Sequence, residues 1–170
     1  MKKLSVICMT VLAVSFLASC RGPQGPAGQD GNANVASSTL TIRSSDWLWL
    51  EDYGQWMVEI DYPAINNNVY NYGAVLVYMD VQGAWTQVPF TYYYHQKIDG
   101  EDCLFAASIE VATLSDGGVC LFWTESDMWD VRPVTREFKI VAIEASVYKD
   151  RSDVDYSNYE AVKTAFQLAD

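Results

Sequence analysis

Histidine is almost missing from this chain: His95 is the only one in 170 residues. That scarcity leaves few ways to build a nucleophile–base pair or a histidine-based metal centre. Cations are also scarce. Eleven Lys and Arg stand against 22 Asp and Glu, a formal charge of −11 at pH 7, whereas nucleic-acid phosphates demand clustered Lys and Arg. A nucleic-acid partner is therefore not expected. Charged residues make up only 19%, too few beside the abundant Trp and Tyr for an intrinsically disordered chain. What is present is a half-hydrophobic, 14% aromatic sequence with four cysteines, of a length suited to one folded domain.

The N-terminus reads as a targeting segment. Met1-Lys2-Lys3 is a short basic start, and Leu4 to Leu17 follows as an apolar stretch. Its fourteen residues fall short of the about 20 that a membrane-crossing helix needs, but they suit the core of a secretory signal. Next comes Leu17-Ala18-Ser19-Cys20, small residues before a thiol that can carry a lipid. This tetrapeptide resembles the lipobox of bacterial lipoproteins. The resemblance implies cleavage before Cys20, diacylglycerol on its thiol and acylation of the freed amine. Several acyl chains anchor stably, since each buried CH₂ contributes about 0.8 kcal/mol, so the mature protein is expected to be tethered rather than spanning. Loss of residues 1–19 removes two lysines and no acid, which moves the charge from −11 to −13. So acidic a domain should stand off anionic headgroups. The expected location is the bacterial cell envelope, at the outer membrane.

Glycine then recurs at every third position in Gly22-Pro23-Gln24, Gly25-Pro26-Ala27, Gly28-Gln29-Asp30 and Gly31-Asn32-Ala33. That is the collagen pattern, in which only Gly fits the crowded axis of three chains. Four triplets are very short for a triple helix, so residues 20–34 read as a lipidated, semi-extended tether. Trimerisation through the stub is the alternative.

From Val35 the periodicity is that of strands. Gln55 to Tyr62 alternates cleanly, with Trp56, Val58, Ile60 and Tyr62 on one face and Gln55, Glu59 and Asp61 on the other, as a half-buried strand does. Thr39 to Arg43 repeats the pattern. Ala74 to Val81 is apolar on both faces until Asp80, as a central strand would be. Trp85 to Tyr94 is β-rich, with Pro89 forcing an edge or bulge. Phe105, Ala107, Ile109 and Val111 alternate, Ser115-Asp116-Gly117-Gly118 signals a turn, and Val119 to Thr124 and Phe138 to Ala145 complete the series. Seven or eight short strands with turn punctuation predict an all-β domain over 35–170, an antiparallel β-sandwich of Ig-like or jelly-roll-like kind. After a linker at Asp150 to Asp155, Ser157 and Glu160 fit a capping box. Tyr159, Val162 and Phe166 then recur at helical spacing, predicting a short helix over 158–168 that packs on the sandwich.

Taken together, the lipobox, the Gly-Pro stub and the β domain resemble a family of small bacterial lipoproteins. Within the domain, Tyr62 to Pro89, the segment EFKIVAIEA and the closing YSNYEAVKTAFQL are similar to that family's central segment, last strand and terminal helix. The resemblance implies architecture and location. It carries no catalytic residues and no cofactor.

Candidate sites divide by chemistry. His95 follows Tyr92-Tyr93-Tyr94 with no nucleophile motif beside it, and reads as a surface residue; no catalytic group stands out. Asp150, Asp153 and Asp155, and Asp99-Gly100-Glu101-Asp102, offer hard oxygens, but 150–155 lacks the ligand steps and turn glycine of a calcium loop. Both read as solvated loops, and no metal is expected. Of the cysteines, Cys8 leaves with the signal and Cys20 is lipidated. An oxidising compartment permits a Cys103–Cys120 disulfide. If 115–118 is a hairpin turn, however, the two are far from opposite positions, and free thiols are the default. The aromatics are more suggestive: Trp47, Trp49, Tyr53 and Trp56 lie within ten residues, and Tyr92 to Tyr94 are contiguous. Exposed, such rings stack on sugars; buried, they are core and cross-strand pairs, which strands favour. Two readings follow: a lipid-tethered structural or protein-interaction module, or a carbohydrate-binding module using Trp47, Trp49, Tyr53, Tyr92, Tyr93 and Tyr94.

Overall fold

The structure, a computed structural model, describes residues 34–126 and 132–168. The expected signal peptide, Cys20 and the Gly-Pro triplets lie outside the described residues. Among those described, nine strands form: β1 (Val35–Ile42), β2 (Leu48–Leu50), β3 (Gln55–Asp61), β4 (Ala74–Val81), β5 (Ala84–Val88), β6 (Phe90–Ile98), β7 (Glu101–Leu114), β8 (Gly118–Glu125) and β9 (Arg136–Ile143). They make two antiparallel sheets, of order β1-β9-β4-β5 and β2-β3-β8-β7-β6. The chain is an all-β sandwich with a short C-terminal helix.

Alternation places the core. Trp56, Val58 and Ile60 of β3, Ile109 of β7 and Leu121 and Trp123 of β8 turn inward, against Val77 and Met79 of β4 and Phe138 and Ile140 of β9. Tyr62 lies just past the end of β3, yet it is buried and its hydroxyl donates to the Ile140 carbonyl at 3.3 Å, joining one sheet to the other. The strand stops there because Pro63 has no N–H to continue a ladder. Pro89 acts in the same way. The β-rich stretch from Trp85 to Tyr94 is two strands, β5 beside β4 and β6 beside β7, and the chain changes sheets at the cis Val88–Pro89 bond. The predicted turn leads from β7 into β8. Gly117 sits there at φ 101°, and a Cβ would meet the Ile65 carbonyl at 3.3 Å, so both conformation and space favour glycine.

Among the described residues there are three α-helices: α1 (Asn67–Tyr72), α2 (Ala145–Asp150) and α3 (Tyr159–Phe166). The first two were not foreseen. β9 ends at Ile143 rather than Ala145, and α2 lies between it and the expected linker, sharing with that linker only Asp150. The predicted terminal helix is α3, two residues shorter at its C-terminal end. Its cap differs from the expected box. Asn158 Oδ1 accepts from the Glu160 and Ala161 amides, while the Ser157 hydroxyl donates to Asp155 Oδ1 at 2.6 Å. Asn at the N-cap satisfies the same orphan amides that Ser157 would, one residue later.

α3 gives the molecule its second core. Tyr159, Val162 and Phe166 press on Leu76, Tyr78, Val141 and Ile143, the outward residues of β4 and β9. The four-stranded sheet is thus covered on both faces. The five-stranded sheet is covered on one.

Candidate functional site

Most of the candidate aromatics are internal. Trp47 is only 2% exposed and, like Trp56, belongs to the core, so neither presents a stacking face to solvent. Trp49 packs on Trp56 with ring centroids 5.3 Å apart, its opposite number in the β2–β3 register. Tyr92 and Tyr94 are half-buried on the inner face of β6 and pack against the same core. The expected flat aromatic platform is therefore not formed by these rings, for a topological reason. The short β2 pairs with β3 so that Trp49 turns inward, and Trp47 fills the space between Trp123 and Phe138. Of the six candidates, Tyr53 and Tyr93 alone are exposed, at 72% and 70%. They come from different places, Tyr53 from the turn between β2 and β3 and Tyr93 from β6.

The buried cluster has a polar anchor at its centre. The carboxylate of Glu125, the last residue of β8, accepts from Trp123 Nε1 at 2.6 Å and from the Tyr94 hydroxyl at 2.8 Å. Both its oxygens are thereby satisfied inside the sandwich, as a buried carboxylate requires. Arg136 faces Tyr92, and Arg132 lies 5.0 Å from the Trp56 ring centroid. The indole N–H groups of Trp47 and Trp56 are buried without a hydrogen-bond partner. Beyond Glu125, Ala106 still exchanges hydrogen bonds with Ser126, whose amide donates to its carbonyl at 2.8 Å, and residues 101–105 of β7 pair with β6.

Outward, the five-stranded sheet mixes exposed apolar residues with acidic and polar ones. Leu48, Met57 and Phe122 form one cross-strand row. Tyr93 lies on the same face opposite Ala106, and Leu104 opposite His95. Leu48 is 59% exposed and Leu104 60%. Glu110, opposite Phe122, separates that row from the Tyr93 and Leu104 pair, and Glu59, Asp61 and Asp102 lie on the same face, where Lys97 is the one Lys or Arg among the described residues. Exposed apolar groups rimmed by charge mark contact surfaces more often than plain solvent faces.

The remaining candidates fall apart in space. Cys103 and Cys120 are both free thiols. Cys120 lies opposite Ala112 of β7, and nine residues of strand separate Ala112 from Cys103. At about 3.3 Å per residue that is about 30 Å, far beyond the about 7 Å Cα separation that a disulfide tolerates, so the pair cannot bond within one chain. Burial and the nearby Glu59 push the Cys120 thiol above its ordinary pKa. His95 is exposed and lies 3.3 Å from Asp102 across the hairpin. Asp155 serves the turn before α3 through Ser157, whose hydroxyl and amide hold its carboxyl below the usual range. Among the described residues no three of His, Cys, Asp and Glu gather as a metal site, and no helix is long and apolar enough to cross a membrane.

One buried cation was not legible in the sequence. Lys139 of β9 points outward from the four-stranded sheet and is covered by α3, at 3% exposure. Its ammonium donates to the Tyr159 hydroxyl at 2.7 Å and lies 4.3 Å from the Tyr159 ring centroid and 4.7 Å from that of Trp85. Desolvation lowers its pKa, with Lys163 acting in the same direction. Only register could have revealed it. Lys139 continues the outward set of Val141 and Ile143, a polar residue in a stripe that is otherwise buried. In comparisons with protein-family profiles, curated proteins and solved structures, the chain finds no match.

Proposed function

We propose that this chain is a lipid-anchored cell-envelope lipoprotein, tethered through Cys20, whose β-sandwich is a protein-interaction domain. The contact surface is the outer face of the five-stranded sheet. The observation that carries the interaction reading is that face itself: Leu48, Tyr93 and Leu104 are all more than half exposed. The acidic rim fits a partner that presents apolar groups flanked by Lys or Arg. Supporting the anchor are Leu17-Ala18-Ser19-Cys20 behind a signal-like stretch and the Gly-Pro tether after it. At about 3.1 Å per residue such a tether reaches about 40 Å, enough to hold the domain clear of the headgroups.

Each half has its own test. Cys20→Ser should abolish labelling by a clickable palmitate analogue in cells; retained labelling overturns the anchor. Photo-crosslinking residues placed at 93 and 104 should give protein adducts in the intact envelope, and one placed at Lys149, on the exposed side of α2, should give none. Equal adducts from all three positions would remove the assignment of the surface.

A further inference from the structure

The turn joining β4 to β5 and the start of α3 meet at the edge of the four-stranded sheet, where Thr86 and Asn158 form an isolated antiparallel bridge. Between them lies a cavity of about 330 Å³, lined by Gly83, Ala84 and Trp85 on one side and Asn158, Tyr159 and Glu160 on the other. That volume falls at the lower end of the about 300–1,000 Å³ typical of small-molecule sites. We propose that this cavity binds a neutral pyranose sugar, with Trp85 as the stacking wall, the Glu160 carboxylate as hydroxyl acceptor and the Asn158 amide as donor.

The chemistry of the lining selects that class. A pyranose presents an apolar C–H face and a rim of hydroxyls that both donate and accept. Trp85 is half-buried, so its ring is held in place while part of it remains accessible. Glu160 is exposed and accepts without donating. Asn158 has its Oδ1 fixed by the two cap hydrogen bonds, at 3.0 Å to Glu160 N and 3.4 Å to Ala161 N. The same bonds set the orientation of its Nδ2, a donor for one hydroxyl. A cationic ligand is disfavoured because the cation position between the Trp85 and Tyr159 rings already holds the Lys139 ammonium. An anionic sugar would meet Glu160 in a protein that carries an excess of acid. The site is independent of the lipid anchor and of the bare sheet face, since it belongs to the other sheet.

Saturation-transfer NMR on the full chain tests the assignment. The probes are the methyl pyranosides of glucose, galactose and mannose, N-acetylglucosamine, and tetramethylammonium as a cationic control. At least one pyranoside should receive saturation and compete with the others. Glu160→Gln should weaken it about tenfold, as expected when a charged hydrogen-bond acceptor is lost, and Trp85→Ala should abolish it. Because Trp85 also touches the buried Lys139, the exposed Glu160 variant carries the test if Trp85→Ala fails to fold. Transfer to none of the sugars, transfer unchanged in Glu160→Gln, or transfer to tetramethylammonium alone would each overturn the proposal.

Discussion

The two sheets share one core but differ on their outer faces. Outward residues of β4 and β9 are Leu76, Tyr78, Val141 and Ile143, all buried under α3. Outward residues of β3 are Gln55, Met57, Glu59 and Asp61, none of them fully buried. The difference shows in the sequence as a loss of alternation. β3 alternates except at Met57, whereas β9 runs Ile140-Val141-Ala142-Ile143 without a break, because a strand covered on both sides has no face to leave polar. Where a sandwich strand loses its period of two, a second layer is to be sought, and here that layer is the C-terminal helix.

The largest expected effect follows from removing the cover. Phe166→Ala empties a fully enclosed site in the second core and should cost about 3–5 kcal/mol. Phe122→Ala, the same change on the half-buried outward face of β8, should cost about 1 kcal/mol. Urea denaturation of both variants measures the contrast. Equal losses would mean that the two outer faces are energetically alike, and the comparison would fail.

A smaller effect distinguishes the faces by pH. Tyr78 donates its hydroxyl to the Tyr156 carbonyl at 2.7 Å under α3, and Tyr78→Phe should cost about 1–2 kcal/mol at neutral pH. Burial raises the pKa of Tyr78 strongly, with Tyr159 adding to it, and burial also raises those of Tyr156 and Tyr159 beside it. A phenol whose folded pKa lies above its unfolded value gives up its proton first in the unfolded chain. Stability is therefore full below about pH 10, the ordinary phenol value, and falls as pH rises through the folded values. Lys139 acts in the opposite sense, since its lowered pKa relieves a penalty as pH climbs towards about 10.5. With three phenols against one amine, the net should be alkaline destabilisation of the covered face. Tyr78→Phe should flatten it in urea titrations between pH 8 and pH 11; an unchanged slope would show that the buried phenols do not titrate with unfolding.

How much of this was legible depends on range. Period two located β1, β3 and β7 because each half-buried strand writes its own pattern, while continuous apolar runs located β4 and β9 and the turn at 115–118 located β8. The Tyr159, Val162 and Phe166 stripe announced α3 and its packing. Pro89 was legible as an interruption, but whether it bulged one strand or moved the chain to another sheet is a matter of long-range pairing. Short helices escaped for want of pattern: α1 rests on Asn66, whose side chain caps the Asn68 and Val69 amides, and buries only Val69. Trp47 and Trp49 show the limit most clearly. Their spacing shows that they share a face when extended, but not that β2 is three residues long, with Trp49 turned inward and Trp47 displaced into the core. Lys139 and the cavity by Trp85 depend on the β4–β9 register and on where α3 lands, neither of which is written locally.

The smallest expected effect bears most directly on function. Tyr93→Ala removes as large a ring as Tyr159→Ala would, but from the bare face, where the side chain has solvent for most of its surroundings. Its cost should stay within about 0.5 kcal/mol, the usual bound for surface substitutions away from special contacts, while the buried Tyr159 should cost several times more. A near-zero value for Tyr93, read beside crosslinking that depends on that face, separates a residue kept for contact from one kept for packing. A loss above about 2 kcal/mol would instead make Tyr93 part of the fold, and the bare sheet would no longer be a surface free to receive a partner.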